Sequence, residues 1–221
     1  TRGCASVRIG VIHPIESYWL YWGPEEQTGS VRREMDENFD RLIRYMLYGL
    51  QDFDFLCESL LPELTQGKKN ENGKFSVGQM QYDVILVPNC RTLRTTTLDL
   101  LANYVEDGGT VIFTGEVPCL EGAVPSDRPG KLAEKCRCIP FNREALLEEL
   151  EPCRFFDVRD ASGNRSSNLI YQLREDGQQK WLFLAHVEEM ENPDIPQGEI
   201  LKIILQGEWK VTEYDALCGQ I

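Results

Sequence analysis

Histidine is scarce in this sequence: its 221 residues contain two, His13 and His186. A reaction that needs an imidazole base has only these to draw on. A structural zinc site would have to rely mostly on thiolates. The eight cysteines are scattered, and only Cys136 and Cys138 stand close, as C-x-C. No C-x-x-C pair marks a zinc or redox site, so no metal is expected. The thiols read as reduced and cytoplasmic, several of them buried as small hydrophobes. Nothing matches G-x-G-x-x-G or G-x-x-x-x-G-K-[ST], so no phosphate loop and no nucleotide cofactor is expected. No stretch approaches the roughly 18 consecutive apolar residues of a membrane span. Basic residues are outnumbered 36 to 23, for a formal net charge of −13. Such a surface repels nucleic-acid phosphates and anionic membranes, and neither is expected as a partner. No basic segment followed by an apolar one opens the chain as a signal peptide would. The chain starts Thr1-Arg2-Gly3-Cys4 and stops at Cys218-Gly219-Gln220-Ile221, which reads as a piece of a longer protein.

The remainder is ordinary for a folded chain, with 42 % apolar and 27 % charged residues. Residues 7 to 12 read as a strand that His13-Pro14 ends, with a long aromatic loop after it. Ser30 can cap a helix beginning near Val31, whose stripe is Val31, Met35, Phe39, Leu42, Met46 and Leu47. Residues 53 to 57 suggest a second strand and 65 to 74 a polar loop. Tyr82 to Pro88 and Thr110 to Gly115 are continuous apolar runs, expected for strands covered on both faces. Between them a helix is expected from about Thr96 to Asp107, ended by Gly108-Gly109. Asn142 can cap a short helix through Leu150, and residues 154 to 158 form a last strand of this part. The alternation predicts βαβ units, hence a parallel sheet with helices on both faces.

After about residue 158 the pattern changes. Leu169, Tyr171 and Leu173 alternate with polar residues, a polar turn leads to Trp181 to Val187, and Ile200 to Leu205 and Trp209 to Tyr214 follow. This predicts a four-stranded antiparallel meander that needs a partner layer. Two units are therefore expected: an α/β domain over 1–158 and a β-sandwich segment, incomplete, over 159–221.

Three stretches carry a resemblance: Val11-Ile12-His13-Pro14-Ile15-Glu16-Ser17-Tyr18-Trp19, then Tyr82 to Pro88, then Tyr104 to Gly115. Together they resemble the class I glutamine-amidotransferase-like accessory domain that follows the catalytic barrel in bacterial glycoside hydrolases, as the trimerisation domain does in β-galactosidases. The run Gly207 to Val211 and Tyr214 to Ile221 looks like the start of the β-sandwich in such proteins. The resemblance implies a flavodoxin-like fold and an accessory role in carbohydrate metabolism. The partners it implies are the rest of a glycoside hydrolase or sister subunits, with carbohydrate as a further candidate. It places the catalytic acids in a separate barrel.

A working amidotransferase needs a glycine-flanked cysteine on a tight turn, a histidine and an orienting carboxylate. Cys90 follows a strand but sits in Pro88-Asn89-Cys90-Arg91-Thr92, and Cys119 follows Pro118. Neither has the flanking glycines. His186 falls inside a strand, where a structural role is expected. His13 ends the first strand, on the edge where open α/β sheets place ligands, so a Cys90–His13 hydrolase is the alternative reading. Glu16, Glu58 and Glu116 are the carboxylates expected on that edge, where a glycosidase would need a pair at fixed separation. The most suggestive segment is His13 to Gly23. It gathers Tyr18, Trp19, Tyr21 and Trp22 beside Glu16, aromatic residues of the kind that anchor protein interfaces or stack on sugars.

Overall fold

A computed structural model describes residues 3–70, 72–187 and 201–214. The first half runs β1 (Cys4–Ala5), β2 (Ile9–Ile12), α1 (Ile15–Leu20), α2 (Glu25–Leu47), β3 (Phe53–Leu56) and α3 (Leu61–Leu64). Next come β4 (Phe75–Val77), β5 (Met80–Tyr82), β6 (Val84–Val87), β7 (Thr92–Leu93), α4 (Thr95–Glu106) and β8 (Thr110–Thr114). β9 (Leu120–Glu121), β10 (Val124–Pro125), α5 (Arg128–Ala133), β11 (Arg137–Ile139) and α6 (Arg143–Glu149) complete the α/β part. β12 (Phe156–Arg159), β13 (Leu169–Asp176), β14 (Gln179–His186) and β15 (Lys202–Leu205) follow.

Five strands form one parallel sheet in the order β11-β8-β6-β2-β3. Counted along the chain within that sheet, the order is 5-4-3-1-2, the flavodoxin-like arrangement. The apolar runs explain it. Successive side chains of β6 point to opposite faces, so Ile85 and Val87 join one buried cluster and Val84 and Leu86 the other. The first cluster is covered by Leu61 of α3, Leu98, Leu101 and Tyr104 of α4, and Leu132 of α5. The second is covered by Leu42 and Met46 of α2 and Leu146 of α6. Asn142 caps α6 by accepting the Ala145 N–H at 2.9 Å. α4 stops at Gly108, whose φ of +84° suits glycine. A Cβ at Gly109 would stand 2.1 Å from the Tyr104 ring.

Several expectations are corrected. The aromatic segment after His13 is not wholly a loop. Its Ile15–Leu20 part is the short helix α1, with Tyr21 at the C-cap and Trp22 just past it. The following helix starts at Glu25, not near Val31, and Ser30 lies inside it. Pro24 stands at its N-cap position and Glu25 and Glu26 fill its first turn, where carboxylates complement the helix dipole. The strand at 156–159 does not extend the parallel sheet but pairs antiparallel with β15. The edge place belongs to β11, parallel to β8. The four-stranded meander is likewise replaced. β13 and β14 form a hairpin joined on its outer side by β1, with Cys4 opposite Glu175. Trp209 to Tyr214 has no assigned strand. Ile200 and the segment Asp215 to Ile221 lie outside the described residues.

The β1-β13-β14 and β12-β15 sheets have a core of their own: Leu50, Phe156, Val158 and Leu169, with Tyr171, Leu182, Leu184 and Leu205 against it. Leu50 stands just ahead of β3, and β1 just ahead of β2. The β portion therefore sits at the N-terminal ends of the parallel strands. Arg154 ties the two regions by donating to the carbonyls of Leu50 and Gly49 at 2.8 and 2.9 Å. The opposite, C-terminal edge of the sheet is left to other contacts. Among the described residues, no helix is long and apolar enough to cross a membrane.

Candidate functional site

From β2 the chain first adds β3 on one side, then returns to place β6 on the other. The loops leaving β2 and β6 diverge there and leave a crevice, the position where open α/β sheets hold ligands. A cavity of about 170 Å³ occupies it. His13 and Pro14 enter from the end of β2, and Pro88 and Asn89 from the end of β6. Tyr18 of α1 and Phe39 of α2 close the sides.

α1 is fixed over this edge by a contact distant in sequence. The buried Ser17 Oγ accepts the Arg91 and Thr92 N–H groups, at 2.9 and 3.2 Å. Arg94 adds a second tie. Its guanidinium holds Glu16 at 2.7 Å, and its N–H donates to the buried Glu58 carboxylate at 2.8 Å. Burial raises the Glu58 pKa against the opposing effect of that N–H. Glu116 is engaged elsewhere, with Arg91 at 2.8 Å. Glu16 and Glu58 are thus both engaged by Arg94, and Glu116 by Arg91.

His13 borders the cavity, with its ring edge-on to Phe39 and Phe55 at centroid distances of 5.5 and 5.1 Å. Burial lowers its pKa, which favours the neutral imidazole. Cys90 is fully covered and is not among the cavity's lining residues. Burial, and secondarily the Glu58 charge, push its thiol far above the ordinary range. A nucleophilic cysteine needs the reverse shift. Cys119 is exposed. His186 ends β14, in the β portion at the other end of the sheet. Among the described residues, no group of three or more His, Cys, Asp or Glu side chains could hold a metal.

The aromatic residues divide by face. Tyr18 lines the cavity and Tyr21 is half-buried, while Trp19 is 54 % and Trp22 72 % exposed. Arg32 lies over the Trp22 ring at 5.3 Å and Tyr18 lies 6.3 Å from it. Leu20, also exposed, stands beside the two tryptophans.

Sequence reasoning placed His13, Glu16 and the four aromatic residues on this edge, but it missed Asn89 and Phe141 as cavity walls. Phe39 had a signal, as part of the apolar stripe of its helix. Asn89 had only its place one residue past an apolar strand end.

The fold and edge define a flavodoxin-like α/β domain with a crevice at the strand-order reversal. No family model and no curated protein matches the chain. Among solved structures it is similar to the cold-adapted β-galactosidase from Rahnella sp. R3, with 13 % identity and a TM-score of 0.35. The match covers 82 % of this chain and 24 % of that one, so the chain spans about a quarter of that protein's length.

Proposed function

We propose that this chain is a non-catalytic accessory domain of a bacterial glycoside hydrolase, packing on a catalytic barrel or on sister subunits through the outer face of α1. The observation that carries the interaction role is the Trp19–Leu20–Trp22 surface, held at the sheet edge by Ser17. Large aromatic residues that remain in water on, and just past, an anchored helix are typical interface anchors. The glycoside hydrolase context rests on the sequence resemblance of the β2, β6 and α4–β8 segments. The proposed division is 1–158 for the α/β domain and 159–221 for the β portion, with β1 and most of β12 crossing over to pair with strands of the latter. The buried Cys90 and the engagement of the carboxylates by Arg94 and Arg91 favour contact over covalent or acid–base chemistry.

The test is the double replacement Trp19→Ser, Trp22→Ser. Both side chains are exposed, so stability should change by less than about 0.5 kcal/mol. In the complete enzyme, either subunit association, read by sedimentation velocity, or activity should fall, association by roughly a hundredfold or more where the face meets sister subunits, because anchor residues of this kind each carry about 2 kcal/mol. Unchanged association together with unchanged activity would remove the proposal.

A further inference from the structure

The cavity at the strand-order reversal has the size and lining of a ligand site in its own right. An apolar cavity of about 150 Å³ is filled by benzene, and this one measures about 170 Å³. Met35, Phe39, Leu42 and Phe141 make its apolar walls. His13, Asn38 and Asn89 bring polar groups to it, and Asp36 stands exposed at its rim. Among the described residues, no protein group hydrogen-bonds to the His13 ring or to the Asn38 and Asn89 amides. Two walls depend on one backbone position. At Gly115, with φ +81°, a Cβ would come within 3.0 Å of Asn89 Cβ and 3.2 Å of Phe141 Cβ. The glycine lets both stand where they do.

We propose that this cavity binds a single-ring aromatic compound bearing one uncharged hydrogen-bonding substituent, a carboxamide or a hydroxyl. The ring fills the space between Phe39, Phe141 and Met35, and the substituent meets Asn89, Asn38 or His13. The chemistry argues against other classes. A pyranose carries more hydroxyls than His13, Asn38 and Asn89 can meet and would set the remainder against the Met35, Phe39, Leu42 and Phe141 walls, each at a cost. An anion would meet no Lys or Arg among the lining residues and would face Asp36 on a chain of net charge −13. The site is separate from the outer face of α1, since Trp19 and Trp22 are not among its walls.

The experiment is a titration of the 221-residue chain with benzamide and phenol, followed by two-dimensional ¹H–¹⁵N NMR, with benzoate and glucose as controls. Saturable shifts are expected at His13, Asn38, Phe39 and Asn89, with benzoate and glucose weaker by about tenfold. Met35→Trp, which fills the cavity, and Asn89→Ala, which removes the polar handle, should each weaken benzamide by about tenfold. Two variants are used so that a folding defect in one leaves the other decisive. Trp19→Ser, Trp22→Ser should bind benzamide as the unaltered chain does, which separates this site from the proposed interface. The proposal is overturned by any of three results: no saturable shift at the lining residues, equal affinity in both cavity variants, or benzoate or glucose binding as well as benzamide.

Discussion

Ser17→Ala is expected to destabilise the protein by about 2–4 kcal/mol and to loosen α1 from the sheet edge. The Ser17 hydroxyl is buried and accepts two backbone N–H groups, those of Arg91 and Thr92. Alanine removes the acceptor and leaves both donors without this partner, the Thr92 N–H fully buried and the Arg91 N–H part-buried. Each orphaned buried donor costs about 1–3 kcal/mol. Chemical denaturation gives the stability change, and amide exchange at Arg91 and Thr92 gives its location. Ser17→Thr keeps the oxygen and should recover part of the loss. If alanine were neutral, the Ser17 contact would not be what fixes the aromatic helix.

Asp52→Asn should act in the opposite direction and depend on pH. Burial raises the Asp52 pKa from 3.8 to about 6, against the opposing N–H of Phe53, with the nearby Asp54 charge adding to the rise. The folded state thus binds the proton more tightly than the unfolded chain does. Its contribution to stability is fully present below about pH 4 and is lost as pH rises through about 6. Asparagine is neutral at every pH, and its carbonyl oxygen can still accept the Phe53 N–H now bound by Oδ1 at 3.0 Å. The variant should therefore be more stable than the wild type by about 1–3 kcal/mol at pH 8, with the difference vanishing near pH 4. Urea denaturation of both proteins across that window checks the prediction. A pH-independent difference would contradict it.

The parts of the fold that were legible in the sequence are those that local chemistry fixes. Val84 to Val87 and Thr110 to Thr114 are apolar on every residue or nearly so, and they form strands covered on both faces. The stripe Leu98, Leu101 and Tyr104 and the Asn142 cap likewise act within a few residues. What escaped depends on distant partners. α1 is six residues long and is fixed by loop amides far along the chain. β11 has no buried run to announce it, and its strand character comes from pairing with β8. β12 reads as one more strand of the α/β sheet until its partner, β15, is known. Trp209 to Tyr214 reads as a strand, yet Trp209, Val211 and Tyr214 are exposed and stand outside every assigned strand.

The candidate site divides in the same way. The aromatic cluster was visible because composition alone marks it. Its two faces were not, since only the packing of α1 decides that Tyr18 turns to the cavity while Trp19 and Trp22 meet solvent. The Cys90–His13 pairing was suggested by strand ends, but strand ends do not report burial. Cys90 lies beneath the surface, and His13 faces a cavity that Cys90 does not line.

On the proposed reading this edge serves contact, and the buried Cys90 is not an activated nucleophile. Timed alkylation of the native protein with iodoacetamide at pH 8, with each site quantified by peptide mass spectrometry, tests it most directly. The exposed Cys4, Cys119 and Cys138 should react first, and the buried Cys90 at least tenfold more slowly. Modification of Cys90 ahead of the exposed thiols would contradict the account.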